Sequence, residues 1–177
     1  MTEVPAFTNG PVSAESLPDV SDVAFTPIDP RHALATVAAH AVYLVPLILA
    51  GAVTAAVIAG LAAKIGAATA AIGICLLTAH ALLARPLCRA KGYALREHDV
   101  LWREGLIWRR ETAVPFNRIQ HVETAHGPLD RWLGLAEVKV FTAGAAAADI
   151  ALLGLPASQA DRLHRHLLAR AGMPDDG

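Results

Sequence analysis

Charge is what this sequence lacks, and it lacks it in one place. The 52 residues from Ala33 to Ala84 hold one formal charge, Lys64, beside two histidines, His40 and His80. A soluble helix pair needs polar residues on its outer face, so this run is excluded as one. Cysteine is scarce too. Cys75 and Cys88 are the only two in 177 residues, which makes neither a disulfide framework nor a zinc site. Cys88 stands just past the run, where S-palmitoylation is chemically open, although an inert thiol is the simpler reading. From Arg85 onward there is one serine, Ser158, so nucleophilic serine chemistry has a single candidate there. A strong basic excess is also missing: the formal net charge is −1, unlike the footprint of a nucleic-acid binder.

What is present is apolar length. As one helix the run would measure about 78 Å at ~1.5 Å per residue, whereas the hydrocarbon core of a bilayer is ~30 Å thick and takes about 20 residues. Two spans fit, at about residues 37–62 and 65–84. Lysine is costly at the bilayer centre, on the order of 3 kcal/mol, so Lys64 is expected in a tight interfacial turn between Gly60 and Gly66. Pro46 falls inside the first span, where neighbouring helices can re-satisfy the freed carbonyl. Small residues recur every four positions in two registers, Gly51-Ala55-Ala59 and Ala52-Ala56-Gly60, and are echoed by Gly66-Ala70. Such spacing lets helix backbones approach closely. His40 and His80 fall near the span ends, consistent with interfacial placement.

Orientation follows from basic residues. Arg85, Arg89, Lys91 and Arg96 crowd the exit of the second span, and positive residues are retained on the cytoplasmic side. The expected location is the cell membrane, with both termini cytoplasmic. These four also form a membrane-surface basic group, since polybasic segments beside a span are attracted to anionic lipid.

Around the hairpin, assigned to residues 28–91, lie a leader at 1–27, a folded domain at 92–172 and a short tail at 173–177. The leader is rich in Pro, Ser, Asp and Ala, without apolar periodicity, as in a disordered segment. Past Tyr93 the pattern becomes short strands: "YALRE", "DVLWREG", "LIWRRETAV" ending at Pro115, "RIQHVET", "AEVKVFT" and "ADIALL". Ile119 and Val122 are three apart, which breaks the period of two and predicts a bulge. Val138 and Val140 share one face, with Glu137 and Lys139 on the other. Between the fourth and fifth strands "GPLDRWLG" predicts one short helical turn, and Ala143-Gly144 a turn between the last two strands. A final helix begins at Pro156 with Ser158 as its expected cap, carries the stripe Ala160, Leu163, Leu167 and Ala171, and stops at Gly172. The fold class is α+β.

The stretches "VPFNRIQHVETAHGPLDRWLGLAEVKVFTAG" and "LPASQADRLHRHLLARAG", with "IDPRHA" ahead of the first span, resemble the bacterial pleckstrin-homology (PH) domain of the YdbS-like membrane proteins. The resemblance covers about residues 28–172. It implies a two-helix transmembrane hairpin followed by a PH-like antiparallel sheet or partial barrel, closed by the C-terminal helix. Other PH domains often bind phosphoinositides. That is not expected here, because the loop between the first two strands is the acidic "EHD" rather than a dense basic cluster.

Enzymatic chemistry has little to draw on. His121, Glu123 and His126 form the best catalytic or metal trio. His164 and His166 are two apart on a helix and diverge, unlike an i, i+4 pair. No cofactor and no metal are expected, and the chain reads as a non-enzyme. The expected partners are the lipid bilayer and either a membrane protein or a second copy. Candidate binding residues are Arg118, Gln120, Arg131 and Trp132. The resulting expectation is a membrane-anchored interaction or scaffold module; the alternative is a subunit of a transport or envelope-stress assembly whose helices carry the activity.

Overall fold

The computed structural model describes residues 23–143 and 148–171. Strand β1 (Thr26–Pro27) precedes two long helices, α1 (Arg31–Val57) and α2 (Leu61–Arg89), and then β2 (Gly92–Leu95), β3 (Asp99–Glu104) and β4 (Arg110–Pro115) follow. A 3-10 turn at Phe116–Arg118 leads into β5 (Ile119–Ala125), α3 (Pro128–Leu133), β6 (Leu135–Thr142), β7 (Ile150–Pro156) and α4 (Ala157–Arg170). The strands form two antiparallel sheets, in the orders β1-β2-β3-β4 and β5-β6-β7. Together with α4 they make the expected α+β, partly barrel-like domain behind a two-helix hairpin.

The hairpin is built for lipid. In each helix only 11% of the most apolar 18-residue window is buried, and large side chains such as Leu49, Val53, Ile72 and Leu82 face outward. An apolar surface on all sides belongs in a bilayer rather than in water. The helices pack on each other through glycine. A Cβ on Gly51 would stand 2.7 Å from the Gly66 carbonyl oxygen, and one on Gly66 would stand 2.6 Å from that of Gly51 and 2.8 Å from the Ala55 nitrogen. The structure thus selects the Gly51-Ala55 register against Gly66-Ala70; Ala52 and Ala56 face outward. Helix α1 runs through Pro46.

The turn of the hairpin differs from the expected one. It occupies residues 58–60, closed by Gly60 at φ 75°, and Lys64 sits exposed in the first turn of α2. Gly66 is therefore not a turn residue but a contact in the helix interface. The sequence pattern misses this because a charge one turn inside a helix can still reach the interface by extending its side chain.

The domain core lies where the pattern put it. Val100, Leu135, Val138, Val140, Leu152, Leu155 and Leu167 are fully enclosed, and α4 contributes Ala160, Leu163 and Leu167 from one stripe. The register of β5 on β6 shifts between Ile119 and His121, the expected bulge, and a second shift lies between Ala136 and Val138. Three local expectations fail. Leu106–Arg109 belong to a loop, since β4 starts only at Arg110. Ser158 does not cap α4; the helix begins at Ala157, whose amide donates to the Gly134 carbonyl at 3.0 Å. Thr26 and Pro27, assigned to the leader, pair with Tyr93 and Gly92. Gly144 of the expected turn, the Gly172 helix stop, residues 1–22 of the leader and the tail at 173–177 lie outside the described residues.

The glycine contact makes a direct prediction. Gly66→Leu should destabilise the full chain by about 1–3 kcal/mol, because the backbone opposite cannot move aside, whereas Ala67→Leu, on the exposed face, should be neutral. Denaturant unfolding of the detergent-solubilised chain distinguishes the two.

Candidate functional site

The hairpin is not tied to the domain by a loose linker. Only Ala90 and Lys91 separate α2 from β2. Ile28, Ala33, Ala84 and Cys88 from the base of the hairpin belong to the same hydrophobic cluster as the strands and α4. Polar contacts lock the seam on the α1 side. The Asp29 amide donates to the Gly154 carbonyl at 2.9 Å, and the Arg31 guanidinium donates to the Leu133 carbonyl at 3.0 Å. Arg31 also grips the Asp29 carboxylate at 2.8 Å and 3.0 Å. These hydrogen bonds hold the Asp29 carboxyl below the ordinary carboxylate range.

Gly154 explains how α1 comes so close. Its φ is +66°, and an added Cβ would lie 2.6 Å from the Cβ and Cγ of His32. The imidazole of His32 is buried against this bare backbone. Between α1 and α3 there remains an apolar cleft of about 480 Å3, lined by Ala39, Val42, Tyr43, Pro128 and Leu129 among others.

The membrane-facing end of the molecule follows from helix length. From the turn at 58–60, about 20 residues cross the hydrocarbon, which brings its near edge to the level of His40 and His80. These two rings lie against each other, 3.9 Å between centroids. The first turns of α1 and the last turns of α2 then stand among headgroups, together with whatever the domain raises beside them.

The basic residues named from sequence separate into two groups. Arg85 and Arg89 are exposed on the last turns of α2, and Lys91 follows directly. Arg96 does not join them. It sits at the far β2–β3 turn, where its guanidinium makes two hydrogen bonds to Asp99 at 2.8 Å and 2.5 Å. Arg103 is occupied as well, bonded to Glu111 at 2.7 Å and lying 3.7 Å above the Phe25 ring.

The four candidate binding residues are all exposed, yet they do not form one surface. Arg118 and Gln120 flank the start of β5, while Arg131 and Trp132 lie on α3 beyond its end. The 7 residues of β5 put them about 20 Å apart at ~3.3 Å per residue. Trp132 is 80% exposed, so packing does not account for it.

The polar trio is also divided. His121 and Glu123 meet at 3.1 Å on an exposed strand face, but His126 turns its Nδ1 to the Leu135 carbonyl at 3.1 Å. His164 meets Thr124 at 3.0 Å while His166 lies edge-on to Phe116, so these two diverge as expected. Among the described residues no group of three or more His, Cys, Asp or Glu is placed to hold a metal.

Sequence reasoning missed two features. One is the seam of Asp29, Arg31, His32 and Gly154. The other is the β3–β4 loop, where Leu106, Ile107 and Trp108 are exposed; Gly105 directly before "LIWRR" was the available sign of a tight turn.

At the seam, Gly154→Val should cost about 1–3 kcal/mol through a strained φ and a collision with His32, read as a lowered Tm of the solubilised full chain. The Asp29 contribution has a definite sign in pH. A carboxyl whose folded pKa is depressed stabilises above its unfolded value of about 4 and loses that effect as pH falls through the folded value. The stability gap between the wild type and Asp29→Asn should therefore be constant near neutrality and close in acid.

Comparison with known proteins agrees with this architecture. The family model described as bacterial PH domain matches residues 33–171. The UPF0699 transmembrane protein YdbS of Bacillus subtilis (strain 168) is 34% identical over 84 residues, which cover 48% of this chain and 51% of that protein. The alignment thus spans about half the length of this curated relative. No solved structure matches the chain. With two apolar spans fused at their base to paired antiparallel sheets and a closing helix, the chain belongs to the bacterial PH domain family, among its YdbS-like membrane proteins.

Proposed function

We propose that the chain is a membrane-anchored, non-enzymatic interaction module that presents its PH domain at the cytoplasmic face of the cell membrane. One observation carries this reading: the hairpin base and the domain share a single hydrophobic core. An anchor fused in this way fixes the height and orientation of the domain over the bilayer, which suits a partner that is itself embedded there. The cytoplasmic assignment is supported by Arg31, Arg85, Arg89 and Lys91 at the domain end of the spans, against Lys64 alone beside the far turn. The partner is a membrane protein or a second copy. Arg131 and Trp132 on α3 offer it an exposed aromatic and a guanidinium, the residue types that dominate interface energetics.

A second reading is favoured by the close contact of the His40 and His80 rings. Ionisable side chains within spans mark function by default, and in that case the helices would act within a transport or envelope-stress assembly.

Two experiments separate these readings. Crosslinking in intact membranes followed by mass spectrometry should join the domain surface around α3 to a membrane protein or to another copy. If every crosslink falls instead on the helices, the interaction-module reading is wrong. Replacing residues 38–81, which leaves the seam intact, with an unrelated two-helix hairpin should preserve the crosslinks, and their loss would favour the helices as the active part.

A further inference from the structure

We infer that the β3–β4 loop is a membrane-inserting tip, docked on the anionic phospholipid of the bilayer that α1 and α2 span, in the leaflet on the domain side. Strand register sets its direction. β2 leaves the end of α2 at Gly92, and Gly92 pairs with Arg103, so β3 returns toward the hairpin and continues past that level. Glu104 and Arg110 form the last rung, and the residues between them project beyond it. The loop comes alongside α2: Leu87 and Lys91 line the same open groove, about 760 Å3, as Gly105, Trp108, Arg109 and Arg110.

The chemistry of the tip matches the depth at which it stands. Ile107 is 83% exposed and Trp108 88%, with Leu106 beside them. Leu87 lies about 10 Å along α2 from the hydrocarbon edge at His80, at ~1.5 Å per residue, and a loop rising from that level meets the headgroup layer. Tryptophan is enriched there because its ring is apolar and its N–H is polar. Arg109 and Arg110 follow immediately, and Lys91 faces the same groove. Glu104 and Glu111 also line it, but Glu111 is engaged by Arg103 at 2.7 Å and Glu104 accepts from the Trp102 indole at 3.2 Å. With Arg103 offsetting Glu111, the three cations Lys91, Arg109 and Arg110 outnumber the one remaining carboxylate, Glu104, an excess that favours anionic over neutral lipid.

The tip is also preformed. Gly105 has φ +96°, and an added Cβ would collide with the Trp108 carbonyl, so the turn is closed tightly. A preformed apolar tip next to two spans needs no further ordering to enter the interface. The inference requires the spans to be in lipid but is independent of any protein partner.

The test uses the full chain in lipid nanodiscs, on a Trp132→Phe background, so that Trp108 is the one exposed indole and buried Trp102 is the internal reference. Brominated lipid should quench a component of the emission that disappears with Trp108→Phe. The quenching should be greater with phosphatidylglycerol than in purely zwitterionic bilayers, and the double change Arg109→Gln, Arg110→Gln should abolish that difference. Emission characteristic of water and immune to bromine would overturn the inference. Blue-shifted emission equally immune to bromine would also overturn it, placing the tip on a protein surface, either a partner or a second copy. Quenching indifferent to headgroup charge and to the arginines would contradict the anionic docking.

Discussion

The first turn of α1 can reach the domain only because Gly154 has no side chain. There the His32 ring lies on bare backbone, the Asp29 amide bonds the Gly154 carbonyl, and Arg31 reaches the end of α3. This seam is one of the two places where hairpin and domain become one body. On its other side α2 enters β2 with two intervening residues, and Cys88 and Ala84 pack into the domain core. The hairpin is therefore clamped at both of its lower ends.

A clamp of this kind changes what an anchor means. A flexible tether sets only a local concentration, whereas two clamped helices also set tilt and rotation. The lower turns of the hairpin, α3 and the β3–β4 loop all stand at one end of the molecule, with aromatic and basic side chains among them. This is the composition expected where protein meets lipid headgroups. On the far side of the domain, by contrast, Arg96 and Asp99 are paired with each other.

Much of this was legible in the sequence, for identifiable reasons. A run with one charge in 52 residues has no aqueous solution, and lipid thickness divides it in two. Val138 and Val140 against Glu137 and Lys139 fixed the face of β6, and a three-residue interval announced the bulge at Ile119. The bacterial PH resemblance rested on longer stretches and was matched by the family. What escaped was decided by tertiary contact. The two residues of β1 have no pattern of their own and pair only because β2 offers an edge. Ser158 has a capping side chain but sits inside the helix, since the preceding amide is already satisfied by Gly134. Arg96 looked like part of the juxtamembrane cluster until the strand carried it away. Arg118, Gln120, Arg131 and Trp132 read as one surface from their motifs, but the first two flank the start of β5 and the other two lie on α3 beyond its end.

Hydrogen exchange on the full chain in lipid nanodiscs addresses the single-body claim most directly, at the Asp29 amide and its neighbours in the seam. If hairpin and domain share one core, these amides exchange as slowly as those in the centre of β6. Rapid exchange at Asp29 and His32, with β6 still protected, would mean that the domain hangs on a loose tether and that the seam does not exist in the membrane.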